Sequence, residues 1–124
     1  MDIHAFWQAV LTQDAKALAG FFLPGAQVRW HCSNECFSAE EYIRANCEYP
    51  GSWGGELERC HAVEGGLVTV VRVFLQDGSA SFHAVSFFTL ENGLIRSLDE
   101  YWSDDGPPPE WRRRLGLGRP IRQG

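Results

Sequence analysis

The sequence predicts an α+β domain in which helices cover one side of a curved antiparallel sheet, giving a cone. Three observations predict this class: apolar residues at helical spacing near the start of the chain, a long β region, and three turn dipeptides that divide it. The 124 residues suffice for one domain, 1–124, and a hydrophobic content of 44% supplies the side chains for its core.

The first elements are expected to be helices. One helical face carries the apolar residues Ile3, Phe6, Trp7, Val10 and Leu11. A second, short helix is expected after Asp14, which can cap it, and Pro24-Gly25 should stop it. Alternation of apolar and polar residues over 26–33 then predicts a strand.

The third helix has the clearest start signal. Ser38 and Glu41 have the spacing of a capping box, in which each side chain accepts a hydrogen bond from the other residue's backbone N–H. We expect this helix to run to about Glu48 and to end before Pro50.

The region 56–103 is predicted to form a meander of four antiparallel strands. Its turn signals are Gly65-Gly66, Asp77-Gly78 and Asn92-Gly93, dipeptides typical of two-residue hairpin turns. Because such turns fix the register, they also predict which side chains share a face. The inner face is expected to include Thr69, Ser86, Asp99 and Tyr101.

The outer face is expected to carry Val85, Phe87, Leu98, Glu100 and Trp102. Four of these are too apolar for a free surface, so we expect this face to form a homodimer contact. His83 falls on the same outer face, which argues against its use as a base inside the cone.

Asp99 is the main candidate for chemistry, because it is an acid on an otherwise mostly apolar inner face. Two interpretations stay open. It is either a structural acid that accepts hydrogen bonds from Ser86 and Thr69, or a catalytic base or ligand anchor. In an enzyme, Tyr101 or Asn46 could polarise a carbonyl group of the substrate.

Aromatic and polar side chains around the expected pocket are candidates for ligand binding. They are Trp30, Cys32, Asn34, Glu35, Asn46, Tyr49, Trp53 and Ser86. Structural alternatives stay open for several of them: Asn34 and Glu35 can shape a turn, Asn46 can cap nearby backbone, and Trp53 can be a lid or a plug.

The composition of the chain limits the classes of partner that we expect. The net charge of −5 argues against a nucleic-acid partner, and no apolar run is long enough to span a membrane. The first residues lack the pattern of a signal peptide, so we expect a cytoplasmic location. The cysteine spacing matches no common zinc pattern, and we expect neither a metal nor another cofactor.

The end of the chain, about 107–124, is expected to be an irregular tail. It contains five arginines from Arg112 onward, although the whole chain is acidic. We therefore expect the tail to pack back on the acidic body, with Trp111 as an anchor and Arg112 paired with Asp104 or Asp105.

The order of elements, the three hairpin turns and the closing L-D-E-Y-W resemble the nuclear transport factor 2-like superfamily, and its SnoaL-like branch in particular. The segments W-H-C-S-N-E-C-F and A-N-C-E-Y-P-G-S-W-G-G-E resemble an uncharacterised bacterial group within it. This resemblance implies a cone-shaped (cystatin-like) fold with a deep pocket, usually dimeric through the outer face of the sheet. The cyclases of the SnoaL-like branch carry a catalytic His and Asp where this chain has Ser86 and Ser103, which weakens a cyclase function.

Three functions remain open at this point. The first is a cofactor-independent isomerase or dehydratase acting on a small apolar carbonyl compound, with Asp99 as base. The second is a non-catalytic protein that binds a small apolar molecule in the same pocket. The third is a dimeric interaction module with a vestigial pocket. Fold alone does not decide between them.

Overall fold

The computed structural model describes residues 1–122, which form four helices and six strands. In chain order the elements are α1 (Ile3–Leu11), α2 (Ala15–Ala19), β1 (Phe22–Trp30), β2 (Glu35–Ser38), α3 (Ala39–Cys47), β3 (Trp53–Val63), β4 (Gly66–Leu75), β5 (Ser81–Glu91), β6 (Leu94–Asp104) and α4 (Glu110–Arg114). The strand order in the single sheet is β2-β1-β6-β5-β4-β3.

Side-chain caps explain where the first three helices begin. Asp2 caps α1 and Asp14 caps α2, each accepting a hydrogen bond from the backbone N–H three residues later. The predicted capping box of α3 is confirmed: Ser38 N donates to Glu41 Oε1 at 2.9 Å, and Glu41 N donates to Ser38 Oγ at 3.1 Å.

The sheet is mixed rather than wholly antiparallel. The predicted meander β3-β4-β5-β6 is antiparallel throughout, but β1 pairs with β6 in parallel. A short strand that the sequence did not predict, β2, pairs with β1 as an antiparallel hairpin. The α+β cone with its helices on the concave side is confirmed, with one parallel pair added.

The start of β1 differs from the prediction. The chain enters the strand at Phe22, and Pro24-Gly25 lies within the strand instead of separating it from a longer helix. Gly25 has a φ of 79°, and the pairing of β1 with β6 changes register between Phe22 and Gln27. Proline has no N–H to donate and glycine tolerates a positive φ, so the two residues form a bulge.

The register of β4 with β5 is as predicted, with Thr69 opposite Ser86 and Val71 opposite Ala84. The turn between β3 and β4 lies one residue earlier than expected, because Val63 pairs with Gly66. A Cβ on Gly66 would lie 1.7 Å from the carbonyl oxygen of Phe88, so this glycine permits the close approach of two strands and does not form the turn.

The register of β5 with β6 contains the most consequential difference. Leu90 pairs with Ile95 as predicted, but Thr89 pairs with Ser97, which leaves Arg96 as an extra residue in β6. Such a bulge turns every later side chain to the opposite face. The inward placement predicted for Asp99 and Tyr101 is therefore wrong, and Leu98, Glu100 and Trp102 point to the concave side instead.

The core lies between the concave face of the sheet and the helices. Phe6 of α1 is fully buried at its centre and makes edge-to-face contacts with Trp7, Phe21 and Phe88. These contacts explain why the helices cover this face of the sheet. No helix within residues 1–122 is long and apolar enough to cross a membrane.

The tail does not contact the body through the predicted residues. It contains one short helix, α4, and Trp111 on that helix is 55% exposed, so it does not anchor the tail. No salt bridge within the described residues joins Arg112 to Asp104 or Asp105. The tail instead reaches the body through an ion pair between Arg122 and Glu58 of β3.

Candidate functional site

A cavity of about 810 Å³ lies between the helices and the concave face of the sheet. Val10 and Leu11 of α1, Ala45 of α3 and Val73 of β4 contribute apolar side chains to its wall. Ligand pockets in proteins commonly have volumes of ~300–1,000 Å³ and mostly apolar walls. We name this space the aromatic cavity, after the rings described next.

Five aromatic rings form a continuous row along the wall of the aromatic cavity. In spatial order they are Trp30, Trp102, Phe82, Trp53 and Tyr49. The centroids of successive rings are 6.2, 4.8, 5.6 and 4.9 Å apart, all within the range of favourable aromatic contact. Strands β1, β3, β5 and β6 supply four of these rings, so the sheet itself holds most of the wall in place.

Six of the eight predicted ligand-binding residues lie at this cavity. They are Trp30, Cys32, Glu35, Asn46, Tyr49 and Trp53, and their contact with a ligand stays a prediction. The other two lie elsewhere. Asn34 has a φ of 58° in the turn between β1 and β2 and borders a separate small cleft. Ser86 is fully buried beneath the cavity wall.

Asp99 and Tyr101, the predicted catalytic residues, lie on the outer face of the sheet. Asp99 Oδ1 is 2.7 Å from His31 Nε2 and 3.4 Å from Arg29 Nη1. Tyr101 stacks on the ring of His31, with centroids 4.5 Å apart and planes 8° from parallel. Neither residue faces the aromatic cavity, because the bulge at Arg96 reverses this part of β6.

Glu100 occupies the inward position predicted for Asp99. Its side chain is fully buried, Ser86 Oγ donates to Oε2 at 2.5 Å, and Trp30 Nε1 donates to Oε1 at 3.1 Å. Burial raises the pKa of Glu100 to about 7, and the hydrogen bonds from Ser86 and Trp30 oppose this rise only in part. A carboxyl group that is close to half-protonated at neutral pH therefore lies inside the cone.

Two indoles separate Glu100 from the aromatic cavity. Trp30 and Trp102 line the cavity, whereas Glu100 does not. The N–H of Trp102 also lies close enough to the carboxyl group to lower its pKa, although it forms no hydrogen bond of normal geometry. Glu100 thus holds the indole of Trp30 in orientation from behind the wall, and it would meet a ligand only if an indole moved.

Tyr42 of α3 is the titratable neighbour of Glu100 on the helix side. Its side chain is buried and in contact with the ring of Trp30, at a centroid distance of 6.2 Å. Burial, and secondly the negative charge of Glu100, raise the pKa of Tyr42 well above 10. The phenol therefore stays neutral at physiological pH.

Asn46 connects two helices. Its Nδ2 donates to the carbonyl oxygen of Val10 at 3.0 Å, and its own backbone carbonyl accepts a hydrogen bond from Gln13 Nε2 at 2.9 Å. The alternative in which Asn46 caps nearby backbone is therefore the one that the geometry supports. Its position still places it in the cavity wall.

A second polar cluster lies on the outer face around His83, as the register of β5 predicts. His83 Nδ1 is 2.5 Å from Asp105 Oδ1, and Nε2 is 3.2 Å from Glu58 Oε1. The hydrogen bond with Asp105, and to a smaller degree Glu58, raises the pKa of His83. The cluster fastens the end of β6 to the rest of the sheet and lies away from the cavity.

The structure shows no obvious metal centre in its described part. No group of three or more His, Cys, Asp or Glu side chains within residues 1–122 is arranged to hold a metal ion. The four cysteines are free thiols, and Cys32, Cys36 and Cys60 are exposed.

Comparison with known proteins places this geometry in a fold class. No family model matches the sequence, and no curated protein sequence matches it significantly. Solved structures do match. A proposed ketosteroid isomerase from Kribbella flavida superposes with a TM-score of 0.78 at 21% identity, covering 96% of this chain and 87% of that one.

Two further structures resemble the chain. A nuclear transport factor 2-like protein of unknown function from Burkholderia xenovorans gives a TM-score of 0.75 at 21% identity and covers 95% of this chain and 92% of its own. A proposed SnoaL-like polyketide cyclase from Shewanella putrefaciens gives a TM-score of 0.63 at 12% identity, and the match covers 77% of this chain and 73% of the cyclase. The protein has the nuclear transport factor 2-like fold, so the predicted resemblance is confirmed at the level of the fold.

Proposed function

We propose that the protein binds a small, mainly apolar organic molecule in the aromatic cavity. The observation that carries this proposal is the row of five rings along a cavity of about 810 Å³. Aromatic side chains in a concave site remove a large apolar area of a ligand from water. Protein interiors are normally close-packed. If these rings served only stability, we would expect them to pack against the helices and leave no space of this size.

A catalytic function is the second candidate, and one observation favours it. The pKa of about 7 lets Glu100 both accept and donate a proton at neutral pH, as an isomerase or dehydratase of a carbonyl compound requires. Against it, Trp30 and Trp102 stand between Glu100 and the cavity. Catalysis would need one indole to swing aside, whereas binding needs no movement, and we therefore favour binding.

The binding proposal is tested with an uncharged apolar probe, N-phenyl-1-naphthylamine, whose fluorescence rises in an apolar site. The natural protein should bind it saturably. Ala45→Phe fills the cavity from α3 and should weaken binding by about tenfold or more, because an inserted ring removes the space that the probe needs.

The matched control is Ala15→Phe, which adds the same ring at an exposed position on α2. It should leave probe binding unchanged. Equal binding by the natural protein and Ala45→Phe would contradict the proposal, provided that urea unfolding shows both variants to be folded.

We also propose that the protein forms a homodimer through the outer face of the sheet, with a changed set of contact residues. Leu98 and Trp102, which the sequence assigned to this contact, point inward, while Phe87 and Tyr101 are 45% and 44% exposed on the outer face. Their rings are in edge-to-face contact, with centroids 6.1 Å apart, and form an apolar surface patch.

Sedimentation velocity at micromolar concentration tests the dimer. Phe87→Ser should shift the equilibrium toward monomer, because it removes one of the two exposed aromatic side chains of the patch. Leu117→Ser, which removes a similarly exposed side chain from the tail, should leave the dimer intact. A monomeric natural protein, or a dimer lost only in Leu117→Ser, would contradict this interface.

A further inference from the structure

The rim of the aromatic cavity carries more acid than base. Glu35, Glu41 and Glu48 contribute to it together with Arg44. Arg44 is engaged by Glu48 through two hydrogen bonds, from Nε to Oε2 at 2.6 Å and from Nη2 to Oε1 at 3.2 Å. This pair is neutral as a whole, so Arg44 offers little attraction to an anionic ligand.

Two carboxylates of the rim remain without a basic partner. Glu41 lies in the first turn of α3 and accepts a hydrogen bond from the backbone N–H of Ser38, but this neutral donor does not cancel its charge. Among residues 1–122, no salt bridge involves Glu35 or Glu41. The cavity mouth is therefore a region of negative potential above an apolar interior.

Glu35 lies beside one ring of the wall. It is the direct partner of Trp30 across the hairpin of β1 and β2. Side chains of directly opposed residues in antiparallel strands project to the same face, with Cβ atoms ~5 Å apart. Because Trp30 is part of the cavity wall, its neighbour Glu35 brings a carboxylate next to an indole on the cavity side.

The indoles of the wall present carbon atoms rather than N–H donors to the cavity. Trp30 Nε1 donates to Glu100, and the Nε1 atoms of Trp53 and Trp102 are shielded from solvent. A ligand in the cavity thus meets π electrons, which attract cations, and lacks the indole donors that a carbonyl oxygen or an anion would use. A negative charge on Glu100 behind Trp30 acts in the same direction.

We propose that the aromatic cavity selects organic cations, namely molecules with an alkylated ammonium group on an apolar body. This inference rests on the proposed function, since it assigns a ligand class to the same cavity. The ammonium group is placed between Glu35 and the ring of Trp30. The apolar body then lies against the remaining rings, Trp102, Phe82 and Trp53.

Three probes of nearly equal shape separate charge from size: choline, 3,3-dimethylbutan-1-ol and 3,3-dimethylbutanoate. The first is a cation, the second is its neutral carbon analogue, and the third is an anion. NMR titrations that follow the five indole N–H resonances give a Kd for each probe, even where binding is weak. We expect choline to bind ~tenfold more tightly than the alcohol, and the carboxylate to bind most weakly.

A matched pair of variants tests the role of the rim. Glu35→Gln keeps the shape of the side chain and removes its charge, so the affinity for choline should fall ~threefold or more, and the affinity for the alcohol should stay within about twofold. Glu40→Gln removes the same charge from an exposed position at the start of α3, outside the cavity, and should change neither affinity.

The possible failures are distinguishable. An alcohol that binds as tightly as choline, or a choline that does not bind at all, overturns the cation inference. So does a Glu35→Gln variant that loses both ligands equally, because its effect is then on shape. The proposed function is tested separately by N-phenyl-1-naphthylamine, which carries no charge. Binding of this probe supports the proposed function, and absence of binding contradicts it.

Discussion

The buried Glu100 predicts an unusual dependence of stability on pH. Its pKa is raised from 4.5 to about 7 in the folded protein, mainly because burial disfavours the charged form. Between these two values the folded protein binds more protons than the unfolded chain, so the free energy of unfolding falls as the pH rises. The stabilisation is complete below pH 4.5 and is lost as the pH rises through about 7.

The size of this effect follows from the same two values. At about 1.4 kcal/mol for each tenfold change in a protonation constant, the contribution of Glu100 is about 3 kcal/mol. This is a large share of the ~5–15 kcal/mol by which domains are usually stable. The groups that face Glu100 do not titrate in this range, because Tyr42 of α3 has a raised pKa and Trp30 and Ser86 are neutral donors.

Glu100→Gln is the variant that isolates the effect. The amide resembles the protonated acid in size and charge, so the variant should lack the pH-dependent loss. Urea unfolding at pH values from 4.5 to 8, followed by tryptophan fluorescence, measures both proteins. The stability of the variant relative to the natural protein should rise by about 3 kcal/mol over this range. Identical pH dependence in the two proteins would refute the assignment of a buried, titrating Glu100.

Three further predictions concern single positions. Asp99→Asn should leave probe binding unchanged and lower the free energy of unfolding by less than about 1 kcal/mol, because its partners are surface groups. A loss of probe binding in this variant would show that Asp99 contributes to the binding site. Gly66→Ala should cost about 2 kcal/mol or more in urea unfolding, since the strands must move apart, whereas Gly106→Ala should cost less than about 0.5 kcal/mol. The imidazole of His83 should titrate above 6.5 by NMR and move back toward 6.5 in Asp105→Asn; a midpoint unchanged by that substitution would show that Asp105 is not the cause.

Local signals in the sequence predicted most of the fold. Caps at Ser38 and Asp14, the apolar face of α1 and the turn dipeptides each depend on residues close together in the chain, where propensity and spacing are informative. Pro24-Gly25 was misassigned because the same pair can stop a helix or form a bulge within a strand. Sheet pairing decides between them, and pairing with β6 is a long-range contact.

The candidate site was predicted less well, for one identifiable reason. A single extra residue in β6, Arg96, exchanges Asp99 for Glu100 and Tyr101 for Trp102 on the inner face. No residue at this bulge signals it, since arginine there has neither a positive φ nor a missing donor. The sequence did contain one indication of the true register. Leu98 and Trp102 are more apolar than residues of an exposed outer face usually are, and Glu100 lies between them on the same face of the strand.

The binding of an apolar molecule within the cone is the central claim, and the indole N–H resonances test it most directly. The chain has five tryptophans, of which Trp30, Trp53 and Trp102 line the cavity. Trp7 is buried elsewhere in the core and Trp111 is exposed in the tail, so both serve as internal references. Titration with N-phenyl-1-naphthylamine should shift the three cavity resonances together, with one Kd, and leave the two references unchanged. Shifts confined to Trp111, or no saturable shift at any of the three, would contradict the claim.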